Sequence, residues 1–109
     1  MHQVFKLSEV IDRHQKLREP WFEFLRVPDL SVGIYSLPVG SEDPQFSHPE
    51  DEVYYILAGR AVLKVENENR VAEPGAILYV SANTNHRFHD IQDDLTCLVF
   101  FAEGSAPKK

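Results

Sequence analysis

Leu30-Ser31-Val32-Gly33-Ile34-Tyr35-Ser36-Leu37 alternates cleanly between apolar and small or polar positions, the period-two mark of a half-buried strand. Ahead of it, Trp21 to Val27 alternates less regularly, and Pro28-Asp29 supplies a turn, so the two runs predict a hairpin. Pro38, Gly40 and Pro44 then make a loop. The run from His48 to Leu57 reads as a strand, turned at Ala58-Gly59-Arg60 into a second alternating strand, Ala61 to Val65. Asn67-Glu68-Asn69 is a turn, Arg70-Val71-Ala72 a short return, and Glu73-Pro74-Gly75 another turn. Ala76 to Val80 is apolar enough to predict a strand buried on both faces. The polar loop Ser81 to Asn85 delivers His86 to a further strand, on which His86, Phe88 and Asp90 share one face and His89 takes the other. Leu95 to Phe101 is a last apolar strand, and Glu103 to Lys109 reads as a frayed tail. The one predicted helix is capped by Ser8 and runs to Lys16 or Leu17, with Val10, Ile11, Leu17 and His14 inward, until Pro20 stops it. Short strands with turn signals every eight to twelve residues, and almost no helix after residue 18, predict an all-β sandwich or barrel.

Within this pattern the chemistry gathers in GSEDPQFSHPEDEVYYILAG, Gly40 to Gly59, where His48 and Glu52 stand four residues apart. If the segment is continuously extended, residues 46, 48, 52, 54 and 56 share a face, so an imidazole and a carboxylate can converge. A helical reading competes, because Pro49 followed by Glu50, Asp51 and Glu52 resembles an acidic first turn. The β-branched and aromatic Val53-Tyr54-Tyr55-Ile56-Leu57, closed by Gly59, favours the strand. His48 and Glu52 are half of a metal site, and His86 is the best candidate to complete it. His2 and His14 lack a partner at metal-ligand spacing and are expected to be surface or packing residues.

Composition removes several function classes. A chain of 109 residues with 43% hydrophobic residues holds one core, so a ligand site must lie inside the fold or between subunits. No apolar run approaches a bilayer span and residues 1 to 20 hold no apolar signal core, so a soluble, cytoplasmic protein with no membrane partner is expected. Seventeen acidic against eleven basic residues give a net charge of −6, with Lys108-Lys109 the only cationic cluster, which argues against a nucleic-acid partner. The single cysteine, Cys97, lies in an apolar run and is expected to be a packed, unreactive thiol.

With these residues placed, the chain resembles the cupins, small jelly-roll β-barrels, and within them the single-domain proteins of the conserved-barrel group. The first cupin motif reads G, five residues, H-x-H, three or four residues, E, six residues, G. Gly40, His48, Glu52 and Gly59 fall in register with it, while Phe46 stands in place of the first histidine. The second motif reads G, five residues, P-x-G, two residues, H, three residues, N. Gly75 and His86 match it, with Ser81, Asn83 and Asp90 in place of the proline, glycine and asparagine. The resemblance covers roughly Leu30 to Glu103. It divides the chain into residues 1–29, an N-terminal helix and first strand, 30–104, the barrel, and 105–109, a flexible tail, all within one domain.

The resemblance implies that His48, Glu52 and His86 converge inside the barrel on a divalent transition metal, Fe, Mn, Ni, Cu or Zn. Such a set leaves positions open for water or substrate, as a working site does. Since Phe46 cannot coordinate, three arrangements are open: a facial triad, a triad completed by Gln45 as an oxygen donor, or a low-affinity site. The structural alternative is a hydrogen-bonded His48–Glu52 pair at the barrel mouth. An inward Phe46 ring would favour an aromatic or aliphatic ligand over a small dianion. Tyr54 follows Glu52 on the inward face and is the candidate proton donor, although strand tyrosines more often pack; Tyr55 is expected on the opposite face. Asp90 is a candidate to orient His86, and Phe88 a candidate pocket wall. Trp21 and Phe22 would be costly if exposed, which predicts a homodimer. Two functions follow: a small-molecule metalloenzyme of oxygenase, isomerase or lyase type, or a non-catalytic barrel that binds or senses a small ligand.

Overall fold

The computed structural model describes residues 2–44 and 47–103, so Gln45, Phe46 and the tail from residue 104 lie outside the described residues. Helix α1 (Leu7–Leu17) precedes six strands: β1 (Trp21–Val27), β2 (Leu30–Leu37), β3 (Asp51–Val65), β4 (Glu68–Ala72), β5 (Ile77–Val80) and β6 (His86–Ala102). All pair antiparallel, in the order β1-β2-β6-β3-β4, with β5 added to β3. The expected β1–β2 hairpin turns at Pro28-Asp29, where Val27 faces Leu30.

β3 and β6 are long, 15 and 17 residues, and each serves two leaflets. The first half of β3 lies between β5 and the end of β6, with Glu52 paired to Val80 and Phe101. Its second half lies between β4 and the start of β6, with Val65 paired to Glu68 and His86. Register shifts between Ile56 and Val62 bend the sheet, so that the two leaflets close on one core that includes Tyr54, Ile56, Leu63, Phe88, Leu95 and Val99. The result is the all-β barrel expected from the strand pattern, in the jelly-roll form that the resemblance implies.

The turn expected at Ala58-Gly59-Arg60 is instead this bend in one continuous strand. Gly59 adopts φ +91°, and a Cβ there would lie 2.2 Å from the Asp94 carbonyl oxygen. A positive-φ glycine serves a hairpin turn and a β-bulge equally well, so local sequence does not separate the two. β6 is likewise one strand rather than two: Asp90, at φ 51°, marks an irregularity after which Ile91, not Asp90, takes the inward place. β5 is not buried on both faces either, since Ile77 and Tyr79 are 69% and 63% exposed.

Helix α1 begins at Leu7 with Lys6 at its N-cap and no side-chain cap, so Ser8 lies inside the first turn instead of capping it. Val10 and His14 face inward as expected, but Leu17 is exposed. His14 is a packing residue: its Nε2–H donates to the Glu19 carbonyl at 2.6 Å, and its ring stacks on Phe22. This ties the helix to the outer side of β1. Cys97 is fully buried, and burial pushes its thiol pKa up, which accounts for the expected inert character. No helix among the described residues is long and apolar enough to cross a membrane.

Candidate metal centre and its cavity

The bent sheet brings together side chains from opposite leaflets. Glu52, on the first half of β3, and His86, at the start of β6, meet with Oε1 and Nε2 2.7 Å apart and both side chains 1% exposed. The His86 Nδ1–H donates to the Thr84 carbonyl at 2.8 Å, which fixes the tautomer. A neutral His86 would therefore present its Nε2 lone pair to a carboxylate oxygen, acceptor against acceptor. Such a contact is stable only with a proton or a metal cation between the two atoms. Burial opposes the imidazolium, but the Glu52 carboxylate and the Thr84 carbonyl offset it and hold the His86 pKa above its ordinary value. The other carboxylate oxygen, Glu52 Oε2, is buried with no hydrogen-bond partner among the described residues.

His48 approaches from the loop just before β3, so the extended reading holds for Glu52 and Tyr54 while His48 itself precedes the strand; the helical alternative does not occur. Its carbonyl accepts from the Asn83 N–H at 2.6 Å, and Asp51 Oδ1 accepts from the Ala82 N–H at 2.8 Å. These bonds join the loop carrying His48 to the loop that delivers His86. One ligand atom from each of His48, Glu52 and His86 lies within 4.8 Å of the others, a set that could hold a metal ion. Two imidazoles and a carboxylate suit first-row divalent metals, and the Thr84 carbonyl behind His86 supplies the outer hydrogen bond that metal-binding histidines require.

His48, Glu52 and Tyr54 line a cavity of about 280 Å³, whose far end is framed by Trp21, Arg26 and Glu103. Tyr54 lines the cavity beside His48 and Glu52, its ring 6.2 Å from that of His86 and edge-on to Phe88 at 5.1 Å. Phe88 is a core residue behind Tyr54 and not a wall of this cavity. Asp90 does not orient His86: its side chain is 71% exposed and lies 3.5 Å from His89, because the β6 irregularity turns it outward. The Thr84 carbonyl takes the place that the sequence assigns to Asp90. His89 points away as expected, its Nε2 3.0 Å from Asn69 Oδ1. Gln45 and Phe46 lie outside the described residues.

Two residues of the site carry no local signal in the sequence. Asp43 is buried in the loop after β2, where it accepts from the Tyr35 hydroxyl at 2.5 Å and from the Phe88 N–H at 2.7 Å. It anchors the loop that leads to His48. Tyr35 reaches the cavity from β2. Only the fact that Pro44 follows an acidic residue in a turn-rich loop hints at Asp43, and such residues are usually solvated.

Burial first and then nearby carboxylates, Asp43 for Tyr35 and Glu52 for Tyr54, raise both phenol pKa values. Both phenols stay protonated in the folded protein while an unfolded tyrosine loses its proton near pH 10. Above that pH the unfolded state binds fewer protons, so stability falls as pH rises, by about 1.4 kcal/mol per group per pH unit. Urea midpoints at pH 8, 10 and 11 are expected to drop steeply over the last interval, and less so in Tyr54→Phe. Midpoints that stay level to pH 11 would refute this.

Comparison with known proteins agrees with this geometry. Residues 33–102 match the family described as Cupin domain, well over half of the chain. The chain is a cupin. This cupin is 37% identical over 99 residues to an uncharacterized protein of Streptomyces coelicolor, covering 91% of this chain and 94% of that one. Among solved structures, it is similar to the DMSP lyase DddQ from Ruegeria pomeroyi DSS-3, with 26% identity and a TM-score of 0.66. That match covers 70% of this cupin but only 39% of the lyase chain. KdgF from Halomonas sp. shares the fold, with a TM-score of 0.69 at 21% identity over 84% of this chain and 85% of its own.

Proposed function

We propose that this cupin is a metal-dependent enzyme acting on a small molecule held in the cavity above His48, Glu52 and His86. The observation that carries the reading is the buried Glu52–His86 contact at the floor of an open cavity, with the histidine tautomer set so that Nε2 faces the carboxylate. The three residues are the proposed ligands of one Fe, Mn, Ni, Cu or Zn ion. Bound there, the metal would supply Lewis acidity toward an oxygen of the substrate. Tyr54, held neutral by burial and by the Glu52 charge, is the proposed proton or hydrogen-bond donor. Among oxygenase, isomerase and lyase chemistry, the likeness to DddQ supports the lyase type. Elemental analysis of protein purified without chelators or an affinity tag tests the reading, and near one equivalent of metal per chain is expected. No metal, and none taken up on titration, would turn the assignment to the non-catalytic ligand-binding barrel.

The homodimer is proposed on a different surface from the one the sequence suggests. Trp21 lines the cavity, and Phe22 packs under His14 and Arg13. The exposed apolar side chains instead include Tyr55, Ile77 and Tyr79, with Tyr55 and Ile77 directly paired across β3 and β5. With a net charge of −6, two copies approach most readily across such a weakly charged face. Light scattering is expected to give a dimer mass for the parent and a monomer mass for Ile77→Lys; a monomeric parent refutes the proposal.

A further inference from the structure

The far end of the cavity has a chemistry that the three proposed ligands do not explain. Trp21 is held there by a glycine. Its indole lies against Gly33 so closely that a Cβ on Gly33 would be 2.4 Å from the ring, and Phe101 meets it edge-on at 5.6 Å. Phe101 also packs edge-on against His48, so a continuous aromatic wall runs from Trp21 toward the metal centre.

The charges on this end are unbalanced. Glu23, Glu50 and Glu103 line the cavity here against a single guanidinium, Arg26. Arg26 is already committed. Its Nε and Nη2 donate to Glu23 at 3.0 and 2.8 Å, and its Nη1 donates to Glu103 at 3.2 Å. Glu103, which the sequence pattern places in the frayed tail, is held further by the Ser31 hydroxyl at 2.8 Å. An anionic ligand would therefore have to displace a carboxylate to reach Arg26, while a cation meets aromatic faces and surplus negative charge.

We infer that this cavity receives a small ligand bearing an alkylated cationic head, of the quaternary ammonium kind, seated against Trp21 and Phe101 beside the Glu23–Arg26–Glu103 cluster. Aromatic faces attract such cations through the ring quadrupole, and carboxylates set the sign. The inference rests on the proposed function only in sharing its cavity, since the cation is recognised by Trp21, Phe101 and the Glu23–Arg26–Glu103 cluster, none of them a proposed metal ligand.

Trp21 is the only tryptophan in the chain, so its emission reports on this wall directly. The experiment titrates metal-loaded and chelator-treated protein with three probes of one shape: choline, the neutral 3,3-dimethylbutan-1-ol, and the anionic 3,3-dimethylbutanoate. Choline is expected to change Trp21 emission and to bind roughly three- to thirtyfold more tightly than the neutral probe, with the anion weakest. The conservative Trp21→Phe variant should keep part of that preference and Trp21→Leu should lose it, read by calorimetry on protein whose melting temperature is checked. Equal affinity for choline and the neutral probe, tighter binding of the anion, or no response to choline at tens of millimolar overturns the inference. A choline preference in protein that takes up no metal would sustain it while the metal reading fails. Stoichiometric metal with no charge preference would do the reverse.

Discussion

His86→Ala is expected to cost this cupin both its metal and much of its stability, whereas His48→Ala is expected to cost the metal alone. The difference comes from burial. His86 and Glu52 face one another with side chains 1% exposed, so removing the imidazole leaves a buried carboxylate without its cationic partner. Breaking a buried pair on one side typically costs about 3–5 kcal/mol, against about 5–15 kcal/mol for an entire domain. A loss of that size should lower the melting temperature by on the order of 10–20 °C. His48 is only half-buried, on a loop, and its ring makes an edge contact with Phe101. Its removal takes away one of three proposed ligands while leaving Glu52 paired with His86. Elemental analysis beside thermal melts separates the two effects, with metal retention expected to fall at least tenfold in both variants. Unchanged metal content in both would sink the ligand assignment. A melting temperature for His86→Ala equal to that of the parent would show instead that Glu52 is not a buried carboxylate in need of a partner.

The contrast between those two histidines is not visible in the sequence, where they look equivalent. Motif spacing identifies both, and period-two alternation places Glu52, Tyr54 and Ile56 on the inward face, where all three are found. These are local properties, carried by the residue and its near neighbours. What lies beyond reach depends on partners far along the chain. Asp43 reads as a solvated loop residue until Phe88, 45 positions later, donates its N–H to it. Glu103 reads as tail until Arg26, 77 positions earlier, reaches it. Strict alternation assigns Asp90 to the inward face, and one residue at positive φ is enough to turn it out. Gly33 looks like a gap in the alternation of β2, and the Trp21 indole and the Phe22 carbonyl lying against it explain the missing side chain.

Gly59→Ala is expected to be the most damaging glycine substitution among the described residues. Two separate costs fall on that position. Its φ of +91° is one that L-residues rarely adopt, for which a penalty of about 1–2 kcal/mol is typical. The new Cβ would also lie 2.2 Å from the Asp94 carbonyl oxygen and 2.6 Å from the Leu95 Cα, and both are backbone atoms of β6 that cannot rotate aside. Relief requires β3 and β6 to separate where the sheet bends, and this bend is what turns Glu52 and His86 toward each other from opposite leaflets. A total of about 3–5 kcal/mol, with melting lowered by roughly 15 °C, is the expected result. Gly75→Ala is the matched control. Gly75 has a nearly identical φ of +90°, but a methyl group added there would meet nothing within 4 Å, so it should show the backbone penalty alone. If Gly59→Ala melts within a few degrees of Gly75→Ala, the close packing of the bend is not what holds the leaflets together. If it melts far below while the surviving folded fraction also loses metal, the bulge and the metal centre are parts of one device, in which the fold's strongest curvature positions its chemistry.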